Sequence, residues 1–307
     1  EPEENGNSFL ENARIKAIEY AQASGKIAIS EDSGLVIPAL AGLPGIWSAR
    51  FSDCEFSPEG QLLSHSNSGR TRNEIDSANN TRVLELMADL TPERRTAWFE
   101  IALVVSSPDG IVLFESSATS PGRIAESQSG HFGFGYDSIF IGDRTDDVSF
   151  AELDAQRKNL RSHRRKVLSS FSAWTCKLLT KQQEQHIVID GNDGVGKSTI
   201  VNKLRELGWN VSDRGAATKL TDNPSSALPG SNEISFILDA PIEISQERLL
   251  KAGRSLQEKY HTKEDLTHYR QKFQAIAAHH SEFILIDASG SVVQTLSAIL
   301  KVLYPHE

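Results

Sequence analysis

The chain has 307 residues, enough for two domains of ordinary size that each bury a core of their own. Its formal net charge of -9 argues against a broad basic surface for a nucleic-acid polymer, and no apolar run approaches the about 20 residues needed to span a bilayer. Two distant cysteines, Cys54 and Cys176, suggest neither a disulfide framework nor a zinc site, so a soluble cytoplasmic protein is expected.

In chain order, Ala13, Ala17, Ile18 and Ala21 recur at helical spacing, which predicts a helix over 8–24 capped by Gly25. A short strand over 27–29 then delivers Glu31 and Asp32 to a strand end facing an open cleft. Strands are predicted over 97–105, 111–117 and 138–141, the first two joined as a hairpin through Pro108-Asp109-Gly110. Helical spacing returns over 80–88 and 164–179. The second of these runs into the polar stretch 181–185, where the boundary between a domain 1–180 and a domain 186–307 is placed. Beyond it come strand 186–190, helix 197–207, strands 209–212 and 234–239, helices 242–252 and 263–280, strand 283–287 and helix 292–303, with a Pro-, Ser- and Gly-rich loop over 222–232. Alternation of this kind implies an α/β fold with a parallel sheet covered by helices.

The run Gly191-Asn192-Asp193-Gly194-Val195-Gly196-Lys197-Ser198 fits G-x-x-x-x-G-K-[ST] between a predicted strand and helix. Its glycines let several backbone N–H groups point at phosphate oxygens, and the following helix adds its positive end. The ATP-binding residues expected are Gly191, Asp193, Gly194, Val195, Gly196, Lys197, Ser198 and Thr199. Lys197 would neutralise the β- and γ-phosphates, and the Ser198 hydroxyl would bind magnesium.

Residues 188–199 resemble the opening of the thymidylate kinase family of P-loop nucleoside monophosphate kinases, and Ile237-Leu238-Asp239-Ala240-Pro241 before a helix with Arg248 continues the likeness. The resemblance implies a compact parallel-sheet P-loop domain that passes the ATP γ-phosphoryl group to an acceptor. Arg248 and Arg254 are then lid candidates that stabilise the transferring phosphoryl, or else ordinary surface arginines. The family's long helical acceptor stretch is replaced by a short segment between Arg214 and Ile234, so most of the usual acceptor pocket is missing. Asp213-Arg214-Gly215 either substitutes for it, with Asp213 near magnesium and Arg214 on the acceptor phosphate, or is a solvated turn. The alternative is an ATP-binding regulatory module without phosphoryl transfer.

In the first half, Glu31, Asp32 and Glu4 offer the hard oxygens magnesium prefers, and Lys16, Lys158, His163 and Arg164 suit phosphates or a base. Singly each is weak, since an acidic pair reads as readily as a solvated turn. The order of the motifs decides. Residues 8–17, 31–35 and 43–50, then Phe132-Gly133-Phe134-Gly135-Tyr136-Asp137, Ala151-Glu152-Leu153, Lys158 and Ser162-His163-Arg164, closely resemble the inosine triphosphate pyrophosphatase (Ham1-like) family from Glu1 to about Leu179.

That resemblance implies an elongated, two-lobed, mixed-sheet domain that hydrolyses (d)ITP or XTP to monophosphate and pyrophosphate with Mg2+, and dimerises as the family usually does. Asp32 matches the residue that orients or deprotonates the attacking water, and Glu4 and Asp32 match the metal ligands. Lys16 binds the triphosphate, with Ser33 in the substrate set. Phe134 stacks on the purine beside Gly135, Tyr136 and Asp137, and Lys158, His163 and Arg164 read the base edge as cationic donors to a 6-oxo group. Glu31 replaces the family's usual aspartate. The family's N-terminal strand and Thr/Ser-x-Asn-x-x-Lys loop have no counterpart, so a fragment of a longer chain is expected. Modified pyrimidine triphosphates are the alternative substrates, against which the 134–137 and 162–164 motifs argue. A kinase that rephosphorylated IMP would undo this hydrolysis, so a different acceptor is expected.

Overall fold

A computed structural model describes residues 2–66, 68–143, 145 and 147–304. The chain divides into two compact units, Glu1–Ala173 and Trp174–Glu307.

The first unit begins with α1 (Phe9–Ser24), whose start is fixed by the Ser8 hydroxyl accepting the Glu11 N–H and whose end is closed by Gly25 at φ 65°. There follow β1 (Ala28–Val36), the short pair β2 (Cys54–Phe56) and β3 (Leu62–His65), and α2 (Arg72–Leu86), opened by a Thr71/Glu74 capping box. Next come β4 (Thr96–Ser106), β5 (Val112–Ile124), β6 (Phe140–Gly142), α3 (Ala155–Asn159) and α4 (His163–Glu184). The main sheet runs β1-β4-β5-β6.

Strand alternation separates two cores. Leu35 packs with Phe99, Tyr136, Phe140, Phe150 and Val83 of α2 on one face. On the other, Val36 packs with Phe9, Ala13, Ala17, Ala102 and Val104, the alanines letting α1 lie close to the strands.

Several expectations are corrected. β1 runs to Val36, so Glu31 and Asp32 stand in a strand interior and point to opposite faces, not together at a strand end. The motif's polar residues hid a strand because they face partners on both sides. The mixed sheet implied by the resemblance is antiparallel in every described pairing, β4 and β5 being joined by the tight turn at Gly110, φ 77°. The strand expected over 138–141 is present as β6, shifted to Phe140–Gly142, because a 3-10 turn, Gly135–Ser138, takes its first residue. The polar run expected to mark the boundary is the last turn of α4, and the division falls earlier, inside that helix.

The second unit carries β7 (His186–Gly191), α5 (Lys197–Glu206), β8 (Val211–Asp213), α6 (Ala216–Asp222), β9 (Glu233–Asp239), α7 (Ile242–Lys251), α8 (Lys263–His279), β10 (Phe283–Asp287) and α9 (Val292–Leu303). Its sheet, ordered β10-β9-β7-β8, is wholly parallel, as strand-helix alternation requires. β7 is buried from Ile187 onward, and Ile187, Val188 and Ile189 form an unbroken apolar run before Asp190. The unforeseen element is α6, whose start is held by the Asp190 carboxylate accepting the Gly215 N–H at 2.9 Å.

Candidate active site

On the face of the first sheet that α1 covers, Lys16 reaches across to β1. Its ammonium lies 2.9 Å from Asp32 Oδ1 and 2.9 Å from Glu4 Oε1, with the Lys16 and Asp32 side chains only 14% and 13% exposed. Asn12, one turn before Lys16 and fully buried, donates to Asp32 Oδ2 at 3.3 Å and accepts the Gly6 N–H at 2.9 Å, so it ties the segment carrying Glu4 to the strand carrying Asp32. Asn12 received no role from the sequence, although it lies inside a quoted motif. Gly34, two residues on and on the same face, has no room for a side chain: a Cβ would stand 2.6 Å from the Gly45 carbonyl and 2.9 Å from the Phe9 ring.

Burial raises the Asp32 pKa, and the hydrogen bond and charge of Lys16 offset that only in part. Burial also works against the Lys16 ammonium, but hydrogen bonds to Asp32 and Glu4 outweigh it, and its pKa is raised. The asymmetry has a simple cause, since one ammonium serves two carboxylates.

The opposite face holds the other motif residues. Phe134 is 65% exposed at the tip of a glycine-rich loop, with the Lys158 ammonium 4.9 Å from its ring centroid. Lys158 is paired with the buried carboxylate of Asp137, which also accepts the Phe134 N–H at 2.8 Å. Tyr136 is buried and its hydroxyl donates to the Ser48 carbonyl at 2.9 Å. Arg164 grips both oxygens of Glu31, Nη2 to Oε1 at 2.6 Å. Glu31 therefore neutralises the arginine of Ser-His-Arg, on the face of β1 opposite to Asp32. Ser33 falls on this face too, away from Lys16. Two groups are thus assembled, one around Lys16 and one around Phe134, and they meet at the adjacent residues Glu31 and Asp32.

His163 stacks on Phe99, centroids 5.1 Å apart and planes 14° from parallel, and its buried Nδ1 has no hydrogen-bond partner among the described residues. Burial, then the charges of Arg164, Lys158 and Lys166, lower its pKa to about 3, so it is a neutral imidazole and not the cationic donor expected. Below pH 6.5 the unfolded chain takes up a proton that the folded chain refuses. Stability falls from about pH 6.5 towards 3, at up to about 1.4 kcal/mol per unit. Between pH 7.5 and 5.0 this amounts to about 2 kcal/mol, which His163→Gln removes; urea unfolding of both proteins at the two pH values checks it, and equal pH dependence would contradict it. Asp32, with its raised pKa, acts in the opposite sense as pH falls.

In the second unit the loop 191–198 bends through Gly191 at φ 132°, Gly194 at φ 80° and Gly196 at φ 102°. A Cβ at Gly191 would stand 2.5 Å from the Leu238 carbonyl, and one at Gly194 would overlap that of Ser245. Lys197 is buried at the start of α5; its ammonium donates to the Gly191 and Asn192 carbonyls at 2.9 and 2.7 Å and lies 3.3 Å from Asp193. Burial lowers its pKa, and Asp193 resists this. Arg214, in a left-handed turn at φ 58°, and His261 also face Asp193, at 3.8 and 3.7 Å. Val195 is buried, whereas Ser198, Thr199 and Asp213 are exposed.

A cavity of about 210 Å³ opens beside this loop, lined by Asp193, Lys197, Arg214 and Thr218 with Tyr260, Tyr269 and Phe273. α6 supplies Thr218, Thr221 and Asp222 to its wall, and α8 supplies Tyr269 and Phe273. Tyr269 and Phe273 stand one turn apart on α8, a spacing that the sequence does show. Arg248 donates through its guanidinium to the carbonyls of Val195, Ala288 and Gly290 at 3.1, 2.8 and 2.6 Å and so braces the loop. Arg254 is exposed beyond α7. Asp239, at the end of β9, is held bidentately by Arg270 at 2.7 and 2.8 Å, a pairing across 31 residues that no local motif discloses.

Cations paired with carboxylates on both faces of β1, beside an exposed aromatic, make the first unit a candidate nucleotide-handling enzyme of the α/β class. Residues 1–174, more than half of the chain, match the Ham1 family, and the chain belongs to that family. It is 43% identical over 182 residues to a dITP/XTP pyrophosphatase of Streptococcus agalactiae serotype V, a match covering 57% of this chain and 49% of that protein. It is 38% identical over 173 residues to a dITP/XTP pyrophosphatase of Anaeromyxobacter sp., covering 53% of this chain and 75% of the other. The Staphylococcus aureus Ham1 protein is similar in structure, with a TM-score of 0.48, 32% identity and coverage of 57% and 80%. The chain spans about half the length of the streptococcal relatives it matches. Among the described residues no helix is long and apolar enough to cross a membrane, and no three His, Cys, Asp or Glu side chains are grouped as metal ligands.

Proposed function

We propose that the first domain hydrolyses deaminated purine nucleoside triphosphates, (d)ITP and XTP, to monophosphate and pyrophosphate, and that the second is a P-loop phosphotransferase. The observation that carries the first reading is the convergence of Glu4 and Asp32 on the Lys16 ammonium, next along β1 to the Phe134 group. Two carboxylates around one cation leave a negative charge uncompensated, and magnesium is commonly held by one or two carboxylates together with substrate phosphates. Glu4 and Asp32 fit that donor set. When bound, the ion would neutralise the triphosphate and polarise its phosphorus-oxygen bonds.

In the reaction, water adds to the α-phosphorus, the bond to the α-β bridging oxygen breaks, and pyrophosphate departs with the bonding pair. Asp32 accepts the water's proton, and burial brings its carboxyl closer to the pH at which a base works best. Lys16 passes from Asp32 and Glu4 to the triphosphate. Phe134 stacks on the purine, while Lys158 and Arg164 read its edge as cations and His163 as a neutral imidazole. A 6-oxo group accepts a hydrogen bond where adenine's amino group cannot, and an unpaired donor rejects adenine. Rates with ITP, dITP, XTP, dUTP, ATP and GTP test this: kcat/KM for ITP and XTP should exceed that for ATP by about a hundredfold or more. Preference for dUTP would turn the reading towards modified pyrimidines.

For the second domain, support comes from the glycine loop with its buried Lys197 and from the adjoining cavity, whose aromatic side chains suit a planar acceptor. ATP supplied with IMP, dIMP, TMP and other monophosphates should phosphorylate an acceptor other than IMP. ATP consumption without a phosphorylated product, accompanied by a changed pyrophosphatase rate, would make the domain a regulatory module.

A further inference from the structure

We infer that Asp76 and Asn80 of α2 are positioning residues that hold Phe134 ready to stack on a purine ring, an inference that rests on the pyrophosphatase reading. The two stand one helical turn apart on one face. Asp76 Oδ2 accepts the Gly135 N–H at 2.9 Å, and Asn80 Nδ2 donates to the Gly135 carbonyl at 2.9 Å and to Ser138 Oγ at 3.3 Å. Both backbone groups of the residue after Phe134 are therefore gripped from a single helix. Asn79, the neighbour of Asn80, donates at 3.1 Å to the Ser48 carbonyl that also receives the Tyr136 hydroxyl.

Gly135 sits at φ 59° with open space where a side chain would stand, so its backbone angle requires glycine and crowding does not. A loop of such residues is soft unless held. Here the Phe134 N–H is bound by Asp137, Gly135 by α2 at both ends, and Tyr136 through Ser48. The pinned backbone nonetheless presents a ring that is 65% exposed. In the free protein that exposure contributes no burial, whereas a rigid, solvent-facing aromatic lowers the ordering cost of stacking a flat ligand. Arg72, 3.1 Å from Asp76 Oδ1, orients the carboxylate from the preceding turn. Asp76 and Asn80 act through the loop and not on the base itself.

The test uses the full chain with Asp76→Ala and Asp76→Asn. Loss of a charged acceptor at Gly135 should raise KM for ITP about tenfold with kcat within about twofold, while Asp76→Asn, which keeps an oxygen in place, restores most of the affinity. Without nucleotide, amide hydrogen exchange over 132–138 should quicken in Asp76→Ala and not in Asp76→Asn. An unchanged KM, a fall in kcat in place of a rise in KM, or unchanged exchange overturns the inference. Wild-type protein inert towards every inosine and xanthosine triphosphate defeats the pyrophosphatase reading instead, and the exchange comparison then still decides whether α2 holds the loop.

Discussion

Replacing Asp32 by asparagine should lower ITP turnover by about 10²- to 10⁴-fold, the range that a positioned general base supplies. The change keeps the shape and an acceptor oxygen for Lys16, so the fold is retained. It removes a carboxylate whose ionised form burial disfavours, and the folded state should lose little stability at neutral pH. Binding should suffer less than turnover, because Lys16 remains for the triphosphate with Glu4 as its partner. Initial rates with ITP at saturating concentration, alongside thermal unfolding, check both points. Turnover within tenfold of wild type would remove Asp32 from the chemistry.

The second large effect is expected at Lys197. Lys197→Met should abolish ATP binding by the second unit and leave ITP hydrolysis intact. Burial lowers the lysine's pKa, which means that its charged form costs stability in the fold below the ordinary lysine pKa; methionine fills similar space without that cost. The Gly191 and Asn192 carbonyls lose a donor in exchange, so stability without ligand should change little. Wild-type protein at 100 times its dissociation constant for ATP gains about 2.7 kcal/mol, and the variant should gain none. Thermal unfolding with and without ATP reads this directly. An equal shift in both proteins would place ATP elsewhere.

Elements set by local pattern were legible. The alanine spacing of α1 with its Gly25 cap, the Pro-Asp-Gly turn between β4 and β5, and the alternating strands and helices of the second unit all carry their signal in consecutive residues. Of β1 only the start, within the strand expected over 27–29, was legible; its continuation to Val36 was not, because alternation of polar residues facing two sets of partners looks like a loop, and only pairing with β4 shows Glu31 and Asp32 to be on opposite faces. The motif residues were found, but their partners were not. Glu31 with Arg164 is separated by 133 residues and Asp239 with Arg270 by 31, distances at which sequence spacing predicts nothing. Arg248 illustrates the limit from the other side, since its place in a family-like segment says nothing of the three carbonyls that occupy its guanidinium.

On the proposed reading the first domain cleaves between the α- and β-phosphates of a 6-oxopurine nucleotide. Incubation of the Lys197→Met protein with ITP, followed by product analysis without added pyrophosphatase, tests it most directly. One IMP and one pyrophosphate should appear for each ITP consumed, whereas IDP with orthophosphate would contradict the account.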